Sequence, residues 1–128
     1  MSEINTPSKL ALVVNAEETV RNLITYYIES TGINFTIIAV GRGREAFNAI
    51  RDHQFDLVVT GNRIDALDCF WGTEFTKTVR KYLPEAKVIF LSSEEIEDPD
   101  VKPHLFIRKP LKTSDWDLCV NTIKGWFP

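Results

Sequence analysis

The sequence predicts an α/β domain: a doubly wound sheet of five parallel strands with helices on both faces. Three observations lead there. Short unbroken apolar runs recur along the chain, as expected of strands buried on both faces. Amphipathic stripes of helical period separate them, and such alternation makes parallel strands joined by right-handed crossovers. The 128 residues, 44% hydrophobic and 26% charged, fit one globular domain with little room for a second.

Each element has its own signal. Leu10 to Val14 is the first apolar run, and it ends at Asn15, a residue type suited to capping a helix. Val20, Leu23, Ile24, Tyr27 and Ile28 then form one helical stripe, stopped by Gly32. Thr36 to Val40 is the second strand, and Gly41-Arg42-Gly43 is a turn. A helix from Arg44 to about His53 buries Ala46, Phe47 and Ile50. Asp56 to Thr60 is the third strand, closed by Gly61. A polar loop from Asn62 to Asp68 leads into a helix carrying Phe75, Val79, Tyr82 and Leu83, which Pro84 stops. Lys87 to Leu91 and Leu105 to Ile107 are the last strands. The final helix starts near Ser114 and buries Trp116, Cys119, Val120, Ile123 and Phe127. Residues 1–8 read as a flexible tail and 9–128 as the domain.

One connection breaks the rhythm. Ser92 to His104 holds five acids and two prolines, with only Ile96 and Val101 as apolar side chains past the strand end. No amphipathic stripe can be built there, so the fourth helix is expected to be shortened or missing.

Composition narrows the function. The net charge is −3, which disfavours nucleic acid as a direct partner. No apolar run reaches the roughly 20 residues that span a bilayer, and Met1 to Ser8 is polar, without a signal-peptide core. The expected setting is the cytoplasm. Cys69 and Cys119 lack metal-site spacing and read as free thiols. His53 and His104 converge with no nucleophile. In an open α/β sheet the ligand site lies outside the carboxyl ends of the strands. Here those ends carry Asn15-Ala16-Glu17, Gly61-Asn62-Arg63, Ser92-Ser93 and Lys109-Pro110.

Five segments, taken in order, carry a resemblance: Leu12-Val13-Val14, Gly43-Arg44-Glu45-Ala46, Asp56-Leu57-Val58-Val59, Val88-Ile89-Phe90-Leu91-Ser92-Ser93 and Ile107-Arg108-Lys109-Pro110. Over residues 9–127 the chain resembles the receiver domain of bacterial two-component response regulators, the single-domain chemotaxis type included. The resemblance implies a flavodoxin-like fold with strand order 2-1-3-4-5 and a signalling module rather than an enzyme. It also implies a site in which two acids after the first strand and an aspartate after the third hold Mg²⁺. That aspartate accepts a phosphoryl group, aided by a hydroxyl residue and a lysine.

Carried onto this chain, the acid positions are Asn15 and Ala16 and the acceptor position is Gly61. Ser92 and Lys109 keep the hydroxyl and the lysine. The expectation is a degenerate receiver with no phosphoacceptor, no catalytic residue, no cofactor and no bound Mg²⁺. Glu17 is expected to point away from the site, and Thr60 to face the other side of its strand. Asp65 and Asp68 lie in the following loop. Such a chain would act by phosphorylation-independent contact with a signalling protein or a second copy. Phe106, Trp126 and Phe127 are the candidate interaction surface, with Trp71 a further lead. The alternative is a small anion or metabolite sensor, with Arg63 and Lys109 making the degenerate pocket positive. A flavin carrier is disfavoured, because the loop after the first strand has two acids and no glycine to cradle phosphate.

Overall fold

A computed structural model describes residues 8–65 and 70–128, with the backbone alone for 63–65 and 70–71. Residues 1–7 of the proposed tail at 1–8, and the residues Asp68 and Cys69, lie outside the described residues. The elements in order are β1 (Lys9–Val14), α1 (Glu18–Glu29), β2 (Phe35–Val40), α2 (Gly43–Asp52), β3 (Leu57–Gly61), β4 (Arg63–Asp65), β5 (Phe70–Trp71), α3 (Gly72–Tyr82), β6 (Lys87–Ser92), β7 (Leu105–Arg108) and α4 (Thr113–Trp126). Five strands make one parallel sheet in the order β2-β1-β3-β6-β7, which is the 2-1-3-4-5 order of a flavodoxin-like fold.

The unbroken apolar runs have a direct cause: alternate residues of each central strand serve two different cores. Leu12, Val14, Val58 and Val88 face one core with Ala46 and Ile50 of α2 and Phe75 and Val79 of α3. Ala11, Val13, Leu57, Val59, Ile89 and Leu91 face the other, with Ile24 and Ile28 of α1 and Trp116, Cys119 and Ile123 of α4. The Trp116 indole stacks on Tyr27, with ring centroids 4.7 Å apart, and so ties α4 to α1. Gly32 has φ of +75°, the left-handed value that ends α1 cheaply only with glycine.

Several local expectations are corrected. Asn15 does not cap α1. The N-cap is Glu17, and the Asn15 Oδ1 accepts from the Glu17 N–H at 2.9 Å, a two-residue turn before the helix. The stretch after Asn62 is not simply a polar loop, because β4 and β5 pair antiparallel. Strands of three and two residues are too short to show alternation in sequence. Tyr82 is 65% exposed, because α3 ends there and Leu83 fills the core instead. Leu23 and Phe47 are only partly buried, at 40% and 38% exposure, and Phe47 packs edge-on against Phe75 with ring centroids 5.3 Å apart.

The described residues form four helices, and residues 93–104 between β6 and β7 contain none. That segment is pinned at several points. Asp98 pairs with Lys77 of α3 at 2.5 Å, and Glu95 pairs with Arg108 of β7 at 2.9 Å. Val101 is buried, and the His104 N–H donates to the Val88 carbonyl at 2.9 Å.

Candidate functional site

Because β1 lies between β2 and β3, the order reverses beside it, and a crevice opens at the carboxyl ends of β1 and β3. There Asn15, Ala16, Gly61, Ser92 and Lys109 come together around a cavity of about 110 Å³. Glu17, Asn62, Leu91, Ser93 and Glu94 complete its lining.

Local hydrogen bonds position these side chains. Asn15 is 4% exposed. Its N–H donates to the Val40 carbonyl, and its own carbonyl accepts from the Arg21 guanidinium at 2.7 Å. The Arg21 guanidinium also lies over Gly41, where an added Cβ would stand 2.7 Å from Nη1. Ser92 is 3% exposed, and its Oγ accepts from the Glu94 N–H at 3.0 Å. The Ser92 carbonyl accepts from the Lys109 N–H at 2.9 Å, which fastens the lysine's backbone to the end of β6. The Lys109–Pro110 peptide is cis.

The same short turn therefore occurs at two strand ends. At each, a polar side chain accepts from the backbone two residues on, Glu17 after Asn15 and Glu94 after Ser92. This is why Glu17 lines the cavity instead of pointing away from it, as the simple rule for successive residues suggested. Thr60 is fully buried, donates to the Gly61 carbonyl at 2.9 Å and is not among the lining residues. Asn62, which the sequence places at this strand end without a role, also lines the cavity. Its Oδ1 is buried with no hydrogen-bond partner among the described residues.

The side chains of Arg63, Asp65 and Trp71 lie outside the description, although Arg63 and Asp65 belong to β4 and Trp71 to β5. Lys109 makes no ion pair among the described residues. No group of three or more His, Cys, Asp or Glu among the described residues is placed to hold a metal ion. Mg²⁺ demands near-octahedral oxygen ligation, usually through one or two carboxylates with waters. Ala16 and Gly61 offer no side-chain oxygen, so two of the three positions where the resemblance puts carboxylates supply that ion no side-chain ligand; among the described residues, Glu17 and Glu94 are the acids that line the cavity.

Phe106, Trp126 and Phe127 do not form one patch. Phe106 lies midway along β7 and stacks on Phe90, with centroids 6.0 Å apart. Phe127 meets Phe35 at the start of β2 at 5.5 Å, with the Lys9 ammonium 5.3 Å from its ring. Trp126 meets His104, just before β7, at 5.9 Å. Both terminal aromatics are half-buried at the amino-terminal end of the sheet, the end away from the cavity.

A doubly wound parallel sheet with a polar cavity at its switch point defines the flavodoxin-like class. Within that class, the model of the response regulator receiver domain matches residues 11–115, and the chain belongs to that family, whose members are signalling domains of two-component systems. Solved structures share the fold. TrrA, a response regulator of Thermotoga maritima solved in complex with Mg²⁺ and BeF, is 22% identical with a TM-score of 0.76, covering 93% of this chain and 99% of that one. The chemotaxis response regulator CheY4 of Vibrio cholerae is 18% identical with a TM-score of 0.70, over 91% and 99%. The receiver domain of the Pseudomonas aeruginosa sensor histidine kinase PA1611, solved with a magnesium ion in its active-site cleft, is 15% identical with a TM-score of 0.71, over 93% and 99%. No curated protein matches the chain. No described helix is long and apolar enough to cross a membrane.

Proposed function

We propose that this chain is a receiver that has lost its phosphoacceptor and signals by phosphorylation-independent contact with another protein. The observation that carries this reading is Gly61 at the carboxyl end of β3, lining the same cavity as Ala16. The resemblance puts carboxylates at both positions. Glycine has no side chain to phosphorylate, and alanine has no oxygen for a metal. Ser92 and Lys109 are the members of the expected set that keep their functional groups, and without an acceptor they have nothing to act on. Residues 93–104 support the same reading, because this surface is an acidic segment where the family is expected to carry its fourth helix.

Treating the full chain with acetyl phosphate and Mg²⁺ and weighing it intact tests the proposal. The expected mass is unchanged. A gain of one phosphoryl group, mapped to an aspartate, would refute it. The second reading, small-molecule sensing in the same cavity, is favoured by Lys109, which reaches that cavity without an ion-pair partner among the described residues.

A further inference from the structure

Beside the polar cavity lies a second one of about 300 Å³, at the low end of the roughly 300–1,000 Å³ usual for small-molecule sites. Its walls are Val20 and Leu23 of α1, Pro110 and Leu111 of the loop after β7, and Trp116 of α4. Two residues line both cavities: Glu17 and Lys109. They carry opposite charges, yet no ion pair joins them. One charged pair thus stands at the joint between a small polar chamber and a larger apolar one.

The polar chamber offers donors on one side. The Asn15 oxygen is taken by the Glu17 N–H, which leaves its NH₂ to donate. This side chain is more than nine-tenths buried, and its NH₂ has no partner among the described residues. The Ser92 Oγ accepts from Glu94, which leaves its hydroxyl proton to donate. Lys109 adds an ammonium. The acceptor on the other side is the Glu17 carboxylate. Glu94 also lines this chamber.

We infer that this joint binds a free α-amino acid with a large apolar side chain. The carboxylate takes Lys109, Ser92 and the Asn15 NH₂, the ammonium takes Glu17, and the side chain lies between Leu23 and Trp116. A dipolar head answers both charges at once, whereas an anion or a cation alone answers one and is repelled by the other. Binding here would be an input that needs no phosphoryl transfer. The inference rests on the reading of the cavity as a small-molecule site, not on the choice of protein partner.

Calorimetric titration of the full chain tests it, with leucine and phenylalanine as probes. Controls are the same molecules without the amine (isocaproate, hydrocinnamate) and without the carboxylate (isopentylamine, phenethylamine), plus glycine. The expected result is saturable binding of leucine or phenylalanine, with every control weaker by about tenfold or more. Glu17→Gln and Leu23→Asn, both at exposed positions and therefore compatible with folding, are each expected to weaken binding by about tenfold, with circular dichroism unchanged. Absence of saturable binding by both amino acids overturns the inference. Equal binding of the carboxylates and the amino acids also overturns it, while leaving the anion-sensor reading intact. Neither result bears on the acetyl phosphate test.

Discussion

Gly72 is the residue on which the geometry around the third strand depends most sharply. It opens α3, and its N–H donates to the Asn62 carbonyl at 2.5 Å. A Cβ built there would stand 2.9 Å from both the Asn62 Cα and the Gly61 carbonyl carbon, and nearer still to the Gly61 carbonyl oxygen. All three are backbone atoms at the end of β3, so none can swing aside as a side chain would. In Gly72→Ala the first turn of α3 must retreat from the Gly61 carbonyl oxygen by about 1 Å or more. Overpacking of this kind costs about 1–3 kcal/mol, and the stretched hydrogen bond about 1 kcal/mol more. Alanine's helix preference returns about 1 kcal/mol. The net expectation is a loss of about 2 kcal/mol. With a urea m-value of about 1–3 kcal/mol/M, the midpoint should fall by about 1 M with m unchanged. Gly125→Ala, at a helical position with nothing within 4 Å, is the control and should raise stability by up to about 1 kcal/mol. A Gly72→Ala midpoint equal to that of wild type would refute the argued contact between α3 and β3.

Four further outcomes are expected. Burial, then the nearby charges of Arg80 and Lys87, push His104 down to about 4, below its ordinary 6.5. The unfolded chain then binds the extra proton, so His104's contribution is full above pH 6.5 and is lost as pH falls toward 4. Urea midpoints at pH 7 and pH 5 should differ less in His104→Asn than in wild type. Lys77→Met removes the ion pair to Asp98, so hydrogen exchange at the Val101 N–H, which donates to the Asp98 carbonyl at 3.1 Å, should speed up while the β3 amides stay protected. Burial, helped by Asp115, pushes the Cys119 thiol up to about 11. In a Cys69→Ser background, a disulfide reagent should therefore react slowly with the native chain and fast in urea. Gly61→Asp alone should gain little phosphorylation from acetyl phosphate with Mg²⁺, since Ala16 still supplies no ligand, as intact mass would show.

Much of the architecture was legible because the periods were clean. Leu10 to Val14 reads as a doubly buried strand, and it is one, since its residues alternate between two cores. The positions Asn15, Ala16, Gly61, Ser92 and Lys109 could be named in advance because strand ends in an open sheet converge by topology, whatever residues they carry. What escaped was governed by backbone hydrogen bonding rather than by period. Glu17 reaches the cavity because Asn15 folds the chain back on itself. β4 and β5 are too short to alternate. Trp126 and Phe127 suggested an exposed surface by composition, yet they pack against His104 and Phe35 across long sequence separations. The second chamber needed Leu23 of α1 and Leu111 and Trp116 beyond β7 to meet, which no local pattern announces.

The central claim is that the carboxyl end of β3 no longer takes up a phosphoryl group. Nuclear magnetic resonance with Mg²⁺ and beryllofluoride, a mimic of the phosphoryl group, tests it most directly. The account predicts that the amides of Asn15, Gly61, Ser92 and Lys109 keep their positions throughout the titration. A new, saturating set of peaks at those residues, dependent on Mg²⁺ and fluoride together, would contradict it.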